Sequence, residues 1–204
     1  MTPRVTAMPG HSHRGGTLPS TAHQGTTLVG VVFHRLFQTI KLERDAFVWM
    51  DFNDRATGDA AILVGITQVL LVIGTGTSLG RLVAHPFDIV SLLISAAIFW
   101  LLYAAATYAI VRFLLDGHGS FPLYLRIAGF AYPTLLLLVF SNLLFSYDQF
   151  ILILVVGAAW FVLIMARGVS YASDFPTSKA LVASVGGYIA VLIVQQVAVG
   201  LRVF

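Results

Sequence analysis

The chain contains no cysteine, and only 10% of its 204 residues are charged. The first absence excludes disulfides, thiolate catalysis, iron–sulfur clusters and cysteine-ligated zinc, and it leaves the redox compartment unmarked. The second absence carries more weight. An ordinary soluble domain has about 25% charged and about 45–50% apolar residues, whereas 58% of this chain is hydrophobic. One small core cannot hide that excess, which argues against a soluble globular enzyme, a disordered protein and a fibrous repeat. Twelve basic residues against nine acidic ones leave a formal charge of +3. So small an imbalance describes no nucleic-acid-binding surface.

Catalytic motifs are missing as well. Neither H-E-x-x-H nor G-x-S-x-G occurs, and the GTGTSLG stretch follows no strand, as a phosphate loop must. The six histidines fall in the N-terminal region or near the ends of apolar windows. His11 and His13 form an H-x-H pair, too sparse to specify a metal site. No catalytic residue, metal or cofactor is therefore expected.

What is present is a series of long uncharged windows: Ala60–Gly80, Ile89–Val111, Ile127–Tyr147, Gln149–Ala166 and Ala180–Leu201, of 21, 23, 21, 18 and 22 residues. A helix needs about 20 apolar residues, range about 17–25, to cross the hydrocarbon of a bilayer. In lipid the backbone must satisfy its own hydrogen bonds, and these windows lack the alternation of a barrel strand, so they are expected to be helices. The predicted fold is an all-α bundle of five transmembrane helices, with no charge inside a span. The short connection at Tyr147, Asp148 and Gln149 makes the third and fourth spans antiparallel neighbours.

Basic residues set the orientation. With the N-terminus in the cytoplasm, ten basic residues lie on that side and only Arg81 and Arg202 on the other. An odd number of spans then places the C-terminus outside. Residues 1–27 are rich in Gly, Pro, Ser, Thr and His and read as a disordered tail. Residues 28–56 read as a cytoplasmic segment, and 57–204 as the five-span domain. Between Val29 and Ile40, the apolar residues Val29, Val32, Phe33, Leu36, Phe37 and Ile40 share one helical face. This amphipathic helix lies either on the membrane interface or against the bundle; both placements stay open.

Uncharged polar residues in the spans are the remaining candidates. At 1.5 Å per residue, Asn142 and Gln195 both lie about 22 Å from the cytoplasmic end, Gln196 one step further, and Gln68 about 12 Å in. An amide in hydrocarbon seeks a partner, so a bond from Asn142 to Gln195 or Gln196 is predicted between the third and fifth spans. Pro133 removes a backbone hydrogen bond within the third span, and Gly129, four residues earlier, relieves crowding against its ring; a kink is predicted there. Ala183 with Gly187, Gly186 with Ala190, and Ser91 with Ser95 form small-xxx-small faces.

Four runs carry a resemblance: DFNDRATGDAAILV at the first span, GHGSFPLYLRIAGFAYP at the third, GAAWFVLIMARGVSYA in the fourth and DFPTSKALVASVGGYIAVL at the fifth. From about Phe33 to the C-terminus the chain resembles the Yip1 domain in its prokaryotic form. The resemblance implies five spans, a cytosolic N-terminus and no catalytic residue; eukaryotic members act in membrane trafficking and bind Rab-type GTPases and one another. Within the matching motifs, Thr57 and Thr177 stand at cytoplasmic helix starts, where a hydroxyl can cap free backbone amides. The expected function is a non-enzymatic integral membrane protein of a bacterial plasma membrane that organises or scaffolds the membrane. Its expected partners are the lipid bilayer, other membrane proteins or a second copy of itself, with no nucleic acid and no small-molecule substrate. The alternative is a small transporter or permease component with a polar path near Asn142, Gln195 and Gln196.

Overall fold

A computed structural model describes residues 21–74, 86–139 and 147–201, and these contain seven helices and no strand. Helices α1 (Thr21–Ile40) and α2 (Arg44–Phe52) precede the bundle. The bundle comprises α3 (Ala56–Gly74), α4 (Pro86–Ala109, continued by a π-helical turn at Ile110–Leu114), α5 (Phe121–Ala131, continued by a 3-10 segment at Tyr132–Leu136), α6 (Tyr147–Ser173) and α7 (Thr177–Leu201). Five stretches are long and apolar enough to cross a membrane: Ala56–Gly74, Phe87–Leu114, Phe121–Val139, Ile151–Ser173 and Thr177–Val197. The architecture is that of an all-α multi-pass membrane protein.

The helix ends follow local chemistry. α1 stops where Leu42 adopts a left-handed conformation at φ 61°, with Glu43 N–H donating to Gln38 O at 2.9 Å. That is the six-to-one closure of a Schellman motif, here with leucine where glycine is usual. Asp174, at φ 51°, ends α6 in the same backbone region, one that a short polar side chain tolerates. Only Asp174–Pro176 then separates α6 from α7, which pack along each other as a helical hairpin. Asp59 and Asp88 sit in the first turns of α3 and α4, where the helix dipole favours an anion.

Two expected boundaries move. The third membrane helix begins at Phe121 and not at Ile127, which brings Arg126 inside it. The connection expected at Tyr147–Gln149 is instead the first turn of α6. Charged residues mark where apolar text stops, but a helix continues past them wherever its backbone remains paired. The end of the first expected window, 75–80, and residues 140–146 lie outside the described residues.

α5 is the hub. It packs against α3, α4 and α6, and also receives α1 and α2. Within the third span's most apolar window 61% is buried, against 22–39% in the other four, although this span is the least apolar of the five. Apolarity is needed where a helix faces lipid; a helix enclosed by other helices can carry polar groups if they are paired.

The buried side chains gather near one end, the proximal rim, at which α3 and α5 begin and α4 and α6 finish. They include Ala56, Ala60, Leu63 and Val64 of α3, Tyr103, Ala104 and Val111 of α4, and Ile164, Met165 and Val169 of α6, with Ala180 and Ala183 from the start of α7. Close approach requires small residues there. A Cβ on Gly129 would stand 2.6 Å from Ala60 Cβ, so α5 and α3 meet nearly backbone to backbone. Gly187 meets Thr107 of α4 in the same way, which puts the Ala183 and Gly187 face in a helix contact. Ser91 and Ser95 are exposed.

α1 divides its apolar face. Leu36 and Thr39 are buried, Val32 and Ile40 are half-buried, and Val29, Phe33 and Phe37 are exposed. The helix packs against α2 and α5.

Candidate functional site

The proximal rim is organised by three polar knots. The first is Arg126, in the second turn of α5 and only 6% exposed. Its Nε donates to Thr57 Oγ1 at 2.8 Å, its Nη1 to Met50 O at 2.7 Å and Asp51 O at 3.3 Å, and its Nη2 to Asp54 Oδ1 at 2.7 Å. One guanidinium thus ties the end of α2, the α2–α3 connection and the start of α3 to the hub helix. The planar fork of five donors suits such divergent acceptors; a lysine ammonium would not span them. Asp54 itself is fully exposed, so the ion pair is the solvent-facing corner of the knot. The carbonyls of Met50 and Asp51 take the hydrogen bonds of the buried part of the guanidinium.

The second knot closes the loop between α4 and α5. Ser173 Oγ, at the end of α6, donates to His118 O, and Tyr124 O–H lies 2.8 Å from Ser173 Oγ and 3.2 Å from His118 O. Tyr108 packs edge-on against both Tyr124 and Phe121. The third knot runs across the bundle: Trp100 Nε1 donates to Leu125 O at 2.8 Å, and Tyr103 O–H to Ser184 O at 3.3 Å. Around Tyr103, the rings of Phe99, Tyr132, Phe161 and Tyr188 form one cluster, with Tyr103 and Phe161 centroids 5.0 Å apart. It joins α4 to α5, α6 and α7.

Two openings flank these knots. A groove of about 330 Å³ runs between α1 and α3, with Val29, Phe33, Ile62 and Ile66 along its apolar wall and Arg55 and Asp59 among its polar lining. A cavity of about 250 Å³ lies between the start of α2 and the end of α6, lined by Arg44, Phe47, Arg167, Ser170, Tyr171 and Asp174. Arg44 is held over the face of Tyr171, 5.8 Å from its centroid.

The residues singled out from sequence take varied places. Gln68 accepts a hydrogen bond from Tyr132 O–H at 3.1 Å, an interhelical contact between α3 and the 3-10 segment. Gln195 and Gln196 are exposed, in a run from Leu192 to Val197 that is exposed throughout. Asn142, and with it the bond expected to Gln195 or Gln196, lies outside the described residues. At Pro133 the α-helix gives way to the 3-10 segment, and Thr134 Oγ1 donates back to Ala131 O at 2.7 Å. Gly129 serves the contact with Ala60. Thr57 is the second residue of α3 and its hydroxyl accepts from Arg126; Thr177 opens α7 and is exposed.

Sequence reading missed Arg126 as an organising residue because it counted only as a boundary charge. The signal available was its setting: a lone arginine in LYLRIAGFAY, with aromatic and small residues on both sides. It also assumed that no charge would lie in a span; Arg126 is accommodated because carbonyl oxygens surround it. No group of three His, Asp or Glu residues able to hold a metal occurs among the described residues.

A family model described as the Yip1 domain matches residues 30–199. That is most of the chain, which therefore belongs to the Yip1 domain family. No curated protein and no solved structure matches it.

Proposed function

We propose that this Yip1-domain protein is a non-enzymatic membrane organiser whose α1–α2 unit is its contact surface for other membrane components. The observation that carries the reading is a pairing of rigidity and exposure. Arg126 fastens the end of α2 to the bundle, while Val29, Phe33 and Phe37, four residues apart on one side of α1, and Phe52 at the end of α2 remain exposed. A stripe of that spacing is laid down by one helical face, and an apolar face held at a bundle rim suits the membrane interface or a partner helix. Among the described residues, Arg35, Lys41, Arg44, Arg55, Arg112, Arg126, Arg167 and Lys179 all lie at the α1–α2 end of the bundle, which supports a cytoplasmic N-terminus with an external C-terminus; the membrane we assign is a bacterial plasma membrane. Self-association and contact with other membrane proteins both fit this surface.

Photocrosslinking from Phe33 and Phe37 in native membranes tests the reading. A discrete protein adduct, or a second copy of the chain, is expected; adducts to lipid alone at both positions would remove the partner role. The permease alternative requires a polar path, and the exposed Gln195 and Gln196 supply no wall for one inside a single bundle. Solute flux into proteoliposomes containing only this chain would establish that alternative and displace the organiser role.

A further inference from the structure

We infer that the cavity between α2 and α6 is a binding site for a phosphate ester anion of the kind carried by a phospholipid headgroup. Its two arginines come from different helices. Arg44 is the first residue of α2 and Arg167 lies near the end of α6. Both are exposed and neither makes an ion pair among the described residues. By contrast, the buried guanidinium of Arg126 has its donors engaged by four acceptors. Two guanidinium groups without an ion-pair partner among the described residues, lining one cavity of about 250 Å³, are the donor set that phosphate oxygens take best, since each presents a planar fork.

Arg44 is further held by stacking on Tyr171, so part of its ordering cost is met before any ligand arrives. Ser170 Oγ donates to Phe175 O at 2.7 Å, which uses its only proton. The donors for an anion are therefore the two arginines and the Tyr171 hydroxyl. Asp174 also lines the cavity and can accept from a headgroup hydroxyl. Arg44, Arg167 and Asp174 together carry a charge of +1, the complement of a phosphodiester's single negative charge.

Depth favours a lipid as the source. The uncharged run Gln149–Ala166 has 18 residues, which as a helix is about 27 Å, close to the roughly 30 Å of a hydrocarbon core. Arg167 is the first charge after it, so the cavity lies at headgroup level. The inference depends on the membrane placement of α6 and not on the organiser role, and its test needs no protein partner.

The test is native mass spectrometry of the full chain, delipidated in detergent and titrated with phosphatidylglycerol, with diacylglycerol as the phosphate-free control. The wild type is expected to retain phosphatidylglycerol and not diacylglycerol. Loss of one charge-assisted contact should weaken retention about tenfold or more in R167Q, and further in R44Q/R167Q. R55Q, which alters an arginine outside this cavity, should retain phosphatidylglycerol as the wild type does. Displacement by the water-soluble headgroup, glycerophosphoglycerol, would identify a soluble ester as the ligand; failure to displace would identify the lipid. Because both arginines are exposed, the variants should keep the wild-type melting temperature, and R167Q alone suffices if the double variant does not. Equal retention by R167Q and wild type, or equal retention of diacylglycerol, overturns the proposal.

Discussion

At the proximal rim, buried side chains from α3, α4, α5, α6 and α7 interlock, and Arg126, Tyr124 and Trp100 bond across helices. Toward the opposite end, Val90 and Ile94 of α4, Ile151, Leu152 and Val155 of α6, and Ile193, Val194 and Val197 of α7 are exposed. Both regions are strongly apolar, so apolarity does not distinguish them. In lipid, tails are as apolar as leucine, and helices associate through van der Waals fit and interhelical hydrogen bonds. Small residues and paired polar groups supply both at the proximal rim. The described residues of the far end offer branched side chains that lipid solvates equally well. The difference teaches that the rigid part of this molecule lies where its polar groups are, and that much of its most apolar sequence is surface.

This contrast is open to direct attack by thermal unfolding in detergent, taken from the strongest expected effect to the weakest. R126A should cost most, several kcal/mol on the scale of about 1.5–3 kcal/mol for each hydrogen bond to a charged group, because the carbonyls of Met50 and Asp51 lose their donor and α2 and the start of α3 lose their shared tether. D54N, altering only the exposed corner, should cost far less; a D54N loss equal to that of R126A would mean that the ion pair, not the carbonyl contacts, holds the rim. G129V should follow at about 1–3 kcal/mol, the usual penalty for overpacking, because its new Cβ meets Ala60. Y132F removes the hydroxyl that bonds Gln68 and should cost about 0.6 kcal/mol, the average for an interhelical bond. I193A, and Q195L with Q196L, should leave the melting temperature unchanged. A large loss from I193A would show that the far end is packed and would erase the contrast.

Much of the fold was legible in sequence because a bilayer imposes a simple rule. Uncharged windows of about twenty residues must be helices, and all five were found. Boundaries were less legible: Arg126 and Asp148 ended windows by charge, yet both lie inside helices. Of the candidate site, Gln68 was found but its partner was not, since Tyr132 reaches it only through the 3-10 turn at Pro133. For Gln195 and Gln196 the sequence offers only a position along the helix, whereas helical phase decides whether a residue points inward, and the hydropathy of α7 is nearly even around its circumference.

Sequence alone determined the class of molecule, the number of spans and the family, because the cost of placing charge and unpaired backbone in hydrocarbon is paid residue by residue and can be read that way. Tertiary structure alone decided that the least apolar span is the hub, that Arg126 holds the rim together and that two arginines line one cavity. Those outcomes depend on which helix faces which, and in lipid that choice rests on surface fit and on the meeting of donors with acceptors far apart in the chain.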